Sequence, residues 1–140
     1  MKLDLSSLQR AVTALNNSLD SYFRNEKNAS LKQSDLDTLK AGVIQNYEVA
    51  YELCWKFMKR WIEENVSPAI VDGVPRQELY RVSAENKLIT DVEEWMFFHK
   101  SRNLTSHTYN ANNAEQAFDA AKKFIFAAQA FQKVLEAKND

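Results

Sequence analysis

The sequence predicts an all-α protein, an antiparallel up-and-down four-helix bundle with one extra short helix. The 140 residues include only two glycines and two prolines, too few for the many tight turns of a β-sandwich or barrel. Hydrophobic residues make up 45% of the chain, which is enough to build a core. They recur at steps of three and four residues, as on one face of a helix. The length suits one domain, so residues 1–140 are expected to form a single helical bundle.

The first two helices have the clearest periodicity. Helix one is expected from about Ser6 to Asn25. Helix two, the longest, is expected to begin with Ser34 as its N-cap and to end before Ser67. The apolar stripe of helix one is Leu8, Val12, Leu15, Leu19 and Tyr22/Phe23. The stripe of helix two is Leu36, Leu39, Val43, Tyr47, Ala50, Cys54, Met58 and Trp61.

Helix two also has a second apolar stripe on a neighbouring face, formed by Ile44, Tyr51, Trp55 and Ile62. A helix with two apolar faces needs two partners. Either the other helices of one bundle surround helix two, or a second copy of the chain packs against it. The sequence weighs these two arrangements evenly, and the second predicts a homodimer.

The remaining elements follow from turn and cap signals. Residues 68–75 contain both prolines and form the main loop. A short helix is expected from Pro75 to about Lys87. Its inward residues are Leu79, Tyr80 and Val82/Ser83. A capping box that starts at Thr90 opens the next helix, and a similar box at Asn113 opens the last one. The stripe of the last helix is Phe118, Ala121, Ile125, Ala128, Phe131 and Leu135.

Several classes of site leave no trace in the sequence. Neither a secretion signal nor a membrane span is visible, so a cytoplasmic protein without membrane contact is expected. Gly42 and Gly73 stand alone, so there is no glycine-rich phosphate loop. No His-x3-His or Cys-x2-Cys spacing occurs, so neither a metal nor a cofactor is expected. The single cysteine, Cys54, lies within an apolar stripe and should be a buried, reduced thiol.

Residues 102–109, Arg-Asn-Leu-Thr-Ser-His-Thr-Tyr, are the strongest candidates for a functional site. Arg102 is a permanent cation, His107 titrates near neutral pH, and Tyr109 supplies a phenol. The sequence from Trp95 through Ala114 contains no acidic residue that would neutralise them. Such a cluster suits a phosphate-bearing ligand.

The helix that contains these residues turns polar along a face that begins apolar. The apolar part consists of Val92, Trp95 and Met96. Helical steps then lead to four polar residues, His99, Arg102, Asn103 and Ser106. Polar groups that face a bundle interior must be paired or line a cavity, so His99, Asn103 and Ser106 are candidate binding or supporting residues. Asn103 and His107 are four residues apart and share a helical face, so the amide could orient the imidazole.

An arginine and a histidine together suit metal-independent RNA cleavage. His107 can transfer a proton, and Arg102 can stabilise the charge that develops on the phosphate oxygens. The reaction needs both an acid and a base, so two protomers at a two-fold axis would supply two histidines. Each residue also has an ordinary alternative. Arg102 would pair with an acid on another helix, His107 would end a helix, and Tyr109 would be a half-buried aromatic residue.

The pattern Arg-x4-His-x-Tyr at Arg102, His107 and Tyr109, on the late helix of a small all-α chain, resembles the HEPN superfamily. The fuller string resembles its branch of nucleotidyltransferase substrate-binding proteins, which are HepT-like, and helix order and length also fit. This resemblance implies a homodimeric bundle that works with a minimal nucleotidyltransferase in a toxin–antitoxin-like pair. This chain would then be the substrate-binding or partner subunit, and the partner would perform nucleotidyl transfer.

The resemblance also implies an alternative function. In toxin branches of the superfamily, the arginine and histidine form a ribonuclease site, and the partner adenylylates the tyrosine as neutralisation. These roles fall on Arg102, His107 and Tyr109. The chain would then be a metal-independent endoribonuclease with its Arg-x4-His site at a dimer interface. An RNA or nucleotide ligand is expected, and the sequence leaves open whether the chain is itself an enzyme.

Overall fold

The computed structural model describes residues 2–140, and Met1 lies outside the described residues. The helices are α1 (Ser6–Glu26), α2 (Gln33–Asn65), α3 (Pro68–Val71), α4 (Arg76–Glu85), α5 (Val92–Leu104) and α6 (Ala111–Ala137). A 3-10 turn at Thr105–His107 follows α5. Residues 2–140 contain no β-strand, so the predicted all-α class is confirmed. No helix in this part of the chain is long and apolar enough to cross a membrane.

Contacts between helix ends show the direction of the four main helices, α1, α2, α5 and α6. Near the start of α1, Gln9 donates to Glu136 near the end of α6 at 3.0 Å, so these helices run antiparallel. Lys40 and Glu115 pair at 2.8 Å near the starts of α2 and α6, so these two run parallel. A short connection joins α5 to α6, and the two helices pack against each other in antiparallel directions. The order is therefore up-down-up-down, with α4 as the additional short helix.

Phe124 of α6 lies at the centre of the core. Its ring centroid is 5.1 Å from that of Phe98, 5.2 Å from that of Tyr47 and 5.6 Å from that of Trp95. The Tyr47 hydroxyl donates to the backbone carbonyl of Phe98 at 2.6 Å, which joins α2 to α5. The stripe predicted for α6 is buried throughout. The stripe of α1 is buried from Leu8 to Tyr22, with Phe23 outside it.

The second apolar stripe of α2 is covered within the chain itself. Ile44, Tyr51 and Ile62 are buried, and Trp55 is half-buried. Helices α4 and α5 both pack against α2. The arrangement in which one bundle surrounds α2 therefore accounts for this stripe, and the homodimer remains a prediction that depends on the family resemblance. Cys54 is fully buried as expected, and burial raises the pKa of its thiol.

Two predicted helix starts are wrong by one or two residues. Ser34 is not the N-cap of α2, because the carboxylate of Asp35 accepts the backbone N–H of Lys32 at 3.3 Å and fixes the start earlier. Pro75 is the N-cap of α4 rather than its first helical residue. The predicted loop at 68–75 contains the one-turn helix α3, whose N-cap Ser67 accepts a backbone N–H.

The caps of the last two helices also differ from the prediction. Asp91, not Thr90, caps α5, because its carboxylate accepts the backbone N–H of Glu94 at 3.1 Å. Helix α6 begins at Ala111 rather than at Asn113. The side chain of Asn110 accepts the backbone N–H groups of the second and third helical residues and starts the helix earlier.

The position of Phe124 in the core leads to a stability prediction. Phe124 is fully buried, whereas Phe126, two residues later, is 72% exposed. Phe124→Ala should lower the free energy of unfolding by about 3–5 kcal/mol, because it removes a ring and leaves a cavity. The matched control Phe126→Ala should change it by less than about 0.5 kcal/mol. Urea denaturation followed by tryptophan fluorescence measures both, and equal losses would contradict this account of the core.

Candidate functional site

Arg102 lies in the last turn of α5 and faces α2. Its Nη1 is 3.2 Å from a carboxylate oxygen of Glu48, and its Nε is 3.2 Å from one of Glu52. Nη1 also donates to the hydroxyl of Thr105 at 2.8 Å. No acidic residue is near Arg102 in the sequence, but the fold brings two carboxylates from α2 to its side chain, which is 22% exposed. In the single chain, Arg102 is therefore paired with acidic residues of another helix, which is the alternative to a free phosphate-binding arginine.

The two carboxylates contact the guanidinium in different ways. Glu48 also accepts a hydrogen bond from Thr105 at 2.6 Å, so it is held at two points. The Nε–H of Arg102 does not point at Glu52 and has no hydrogen-bond partner within the described residues, although the distance between the atoms is short. We therefore treat the contact between Arg102 and Glu52 as an attraction of charges rather than a hydrogen bond.

Sequence reasoning missed Glu48 and Glu52 as parts of this site. A signal for them exists. Glu48, Tyr51, Glu52 and Trp55 follow steps of three, one and three along α2 and so share one face. Charged residues within an otherwise apolar helical face must find partners or solvent when that face packs. The acidic residues could therefore have been expected to meet a cation from another helix.

His107 and Tyr109 lie on the connection between α5 and α6. Helix α5 ends at Leu104, and the 3-10 turn that follows leaves His107 exposed. Tyr109 is 89% exposed, and its ring meets that of His107 edge-on with centroids 6.1 Å apart. The carbonyl of His107 accepts from the side-chain amide of Asn113 at 3.2 Å, which ties the turn to α6.

The single chain does not show the pairing of Asn103 with His107 that the helical spacing would allow. Both residues are exposed, and within residues 2–140 no hydrogen bond joins their side chains. The reason is the 3-10 turn, which winds three residues per turn, so the four-residue spacing no longer aligns the two side chains. Ser106 is exposed as well. The single chain thus holds Arg102 against α2 while His107 faces solvent.

His99 belongs to a different set of contacts, one turn before Arg102. Its Nδ1 is 3.0 Å from the hydroxyl oxygen of Tyr51. The same oxygen lies 2.5 Å from the hydroxyl of Tyr80 and accepts from Arg76 at 2.9 Å. Burial lowers the pKa of His99, and the positive charge of Arg76 lowers it further. Tyr80 was expected to face inward, but its contact with His99 through Tyr51 was not predicted.

A cleft of about 420 Å³ lies between α2 and α6 beside the turn. Tyr109 is on its rim, Ile44 is among its apolar residues, and the Lys40–Glu115 ion pair lies along it. No group of three or more His, Cys, Asp or Glu side chains in the described part of the chain is placed to hold a metal ion.

The lowered pKa of His99 predicts a pH dependence of stability. In the unfolded chain its pKa takes the ordinary value of about 6.5, which is higher than in the folded chain. As pH falls through this value, the unfolded chain therefore binds more protons than the folded chain does. The free energy of unfolding should therefore fall from about pH 7 to about pH 5, more steeply in the native chain than in His99→Gln. Urea denaturation at several pH values measures the difference. His107→Gln, which removes the exposed histidine, is the matched control, and loss of the slope in that variant instead of in His99→Gln would contradict the assignment to His99.

Comparisons with known proteins identify the family. The family model described as nucleotidyltransferase substrate binding protein like matches residues 3–137. The probable ribonuclease HepT of Haemophilus influenzae is 30% identical over 104 residues, which cover 74% of this chain and 71% of that protein.

Two solved structures share the fold. HI0074 of Haemophilus influenzae, described as having the fold of a substrate binding domain of a nucleotidyltransferase, matches with a TM-score of 0.89 and 25% identity over 95% of this chain and 99% of that one. A protein of Thermus thermophilus matches with a TM-score of 0.62 and 19% identity over 86% of this chain and 98% of that one. This chain therefore belongs to the HepT-like family of nucleotidyltransferase substrate-binding proteins.

Proposed function

We propose that this chain is the substrate-binding or partner subunit of a two-component nucleotidyltransferase system. In this toxin–antitoxin-like pair, located in the cytoplasm, a separate minimal nucleotidyltransferase performs the transfer. The observation that carries the proposal is the exposure of Tyr109, 89% of which is open to solvent on a turn tied to α6. A phenol in this position can enter the active site of a second protein without any rearrangement of the bundle core.

The cleft beside Tyr109 supports the same role. It lies between α2 and α6, and its volume of about 420 Å³ is within the range of small-molecule sites. Apolar residues such as Ile44 and the ion pair of Lys40 with Glu115 give it both apolar and charged surface. A substrate bound there would lie next to the phenol that the partner enzyme reaches.

The state of Arg102 favours the subunit role over catalysis by the single chain. Its charge is offset by Glu48 and Glu52, so its attraction for an RNA phosphate is weakened. The turn of a single chain supplies one exposed histidine, His107, whereas RNA cleavage needs both an acid and a base.

A specific observation favours a second candidate function, a metal-independent endoribonuclease. The relative at 30% identity is named a probable ribonuclease. His107 is exposed and could meet its counterpart in a homodimer joined through the α5 helices. Two copies would then supply both proton-transfer groups, and adenylylation of Tyr109 would block the site. RNA would be the substrate in this case.

The first test concerns the tyrosine. The chain is incubated with the minimal nucleotidyltransferase proposed as its partner and with ATP, and the peptides are analysed by mass spectrometry. We expect the two proteins to form a stable complex and the peptide with Tyr109 to gain the mass of an adenylyl group. Tyr109→Phe should still bind the partner but remain unmodified. An active partner that leaves Tyr109 unchanged contradicts its role as target, and the absence of a complex contradicts the subunit role.

The second test separates the two candidate functions. Purified chain is incubated with RNA in the presence of EDTA, and cleavage is compared with that of Arg102→Ala and His107→Ala. The subunit role predicts no cleavage above the level of the two variants. The ribonuclease role predicts cleavage that falls about a hundredfold or more in both, because each removes a transition-state contact. Arg60→Ala, which removes an exposed arginine of α2, should match the native chain in either case.

A further inference from the structure

Three side chains converge on the hydroxyl oxygen of Tyr51, and neither candidate function uses them. The hydroxyl of Tyr80 is 2.5 Å away, Nη1 of Arg76 is 2.9 Å away, and Nδ1 of His99 is 3.0 Å away. We call these four residues the Tyr51 cluster. Its two tyrosines are fully buried, whereas Arg76 and His99 are half-buried.

The hydrogen-bond capacity of these groups fixes the protonation state of His99. Arg76 can only donate, so it occupies one acceptor position of the Tyr51 oxygen. The buried Tyr80 hydroxyl needs an acceptor for its proton, and Tyr51 is the hydrogen-bond partner it has within residues 2–140. Tyr51 then has its own proton left to donate, and Nδ1 of His99 accepts it. His99 is therefore neutral and carries its proton on Nε2.

Protonation of His99 would disturb the whole cluster. A proton on Nδ1 would have to be donated to Tyr51, and Tyr51 would then donate to Tyr80. The proton of the buried Tyr80 hydroxyl would lose its acceptor. Burial and the charge of Arg76 lower the pKa of His99, and Arg102 adds to this effect, while the carboxylate of Glu52 opposes it. His99 is thus held as a neutral donor whose Nε2–H lies on the side of the ring away from Tyr51.

Arg76 is a fixed cation that forms no salt bridge within residues 2–140. Its guanidinium lies 3.8 Å from the centroid of the Trp55 ring and donates to Tyr51, so its position is determined. The carboxylates on this face of α2, those of Glu48 and Glu52, are both within 4.0 Å of Arg102 instead. Glu52 is close enough to act on His99, but it pairs with Arg102, and a half-buried arginine that no carboxylate contacts can bind an anion.

We propose that Arg76 and the Nε2–H of His99, which meet at the Tyr51 hydroxyl where α4 and α5 pack against α2, form an oxyanion-binding site, and that its ligand is a phosphate monoester, as in a nucleotide. The remaining N–H groups of Arg76 suit a two-point contact with phosphate oxygens. The neutral imidazole adds a directed donor. Tyr51 and Tyr80 act as positioning residues. The hydroxyl of Tyr51 holds both Arg76 and His99, and the hydroxyl of Tyr80 fixes the direction in which Tyr51 donates its own proton.

This site is separate from the turn at residues 105–109 and does not depend on the proposed function. A phosphate monoester can be tested on the isolated chain, without the nucleotidyltransferase. Failure of the partner to bind would leave this site untouched, and failure of this site would leave the role of Tyr109 untouched.

The experiment uses nitrogen-labelled protein and AMP as the probe. A long-range proton–nitrogen NMR spectrum of the imidazole should show the proton of His99 on Nε2 at neutral pH. Addition of AMP should shift the side-chain signals of His99 and Arg76, whereas adenosine, which lacks the phosphate, should leave them in place. A proton on Nδ1, or AMP shifts confined to residues 102–109, would overturn the proposal.

Variants give a quantitative test of the same site. Arg76→Gln should weaken AMP binding by about ten- to a hundredfold, the usual effect of a charge-assisted hydrogen bond. Arg76→Lys should recover part of the loss, since it keeps the charge but not the fork of donors. Arg60→Gln, which removes an exposed arginine of α2, is the matched control and should bind AMP as the native chain does. Equal affinity in Arg76→Gln and Arg60→Gln would contradict a site at Arg76.

The positioning role of Tyr51 is tested by Tyr51→Phe, which keeps the ring and removes the shared oxygen. Weaker AMP binding together with an imidazole proton no longer confined to Nε2 supports the role. If the tautomer of His99 is unchanged in Tyr51→Phe, the contribution of Tyr51 is merely structural, and the positioning role is overturned. Circular dichroism checks that the variant is folded, and if it is not, His99→Gln tests the site directly through an expected loss of AMP affinity.

Discussion

The structure depends on one constraint, which is that polar side chains on a packed face of α2 must find partners inside the protein. The face is formed by Glu48, Tyr51, Glu52 and Trp55. Helix α5 supplies His99 and Arg102 to it, and α4 supplies Arg76 and Tyr80. The contacts between these groups link α2, α4 and α5, and they decide which polar groups remain free at the surface.

This constraint divides the string at residues 102–109 into two parts with different environments. Arg102 is drawn into the bundle by the carboxylates of α2. His107 and Tyr109 remain outside, because α5 ends at Leu104 and the chain leaves the helix through a tighter turn. A motif that is continuous in sequence is therefore discontinuous in space, and its outer half is the part that another molecule meets first.

The sequence predicted the large features because they depend on local periodicity. The stripes from Leu8 to Tyr22 and from Phe118 to Leu135 are buried as the helical steps require. Helix ends were less predictable, since several residues near each end can serve as a cap and small differences in geometry decide between them. The pairing of Arg102 with Glu48 and the contacts of Tyr51 were beyond local reasoning, because they depend on how separate helices pack against one another.

The burial of Cys54 has a practical consequence. The residue is the only cysteine of the chain, and it lies in the middle of α2 with none of its surface open to solvent. A thiol reacts as the thiolate, and burial keeps this one protonated. Alkylating reagents and oxidants can reach it when the helices come apart. The rate at which Cys54 reacts with an alkylating reagent therefore reports how often the bundle opens, without any engineered label.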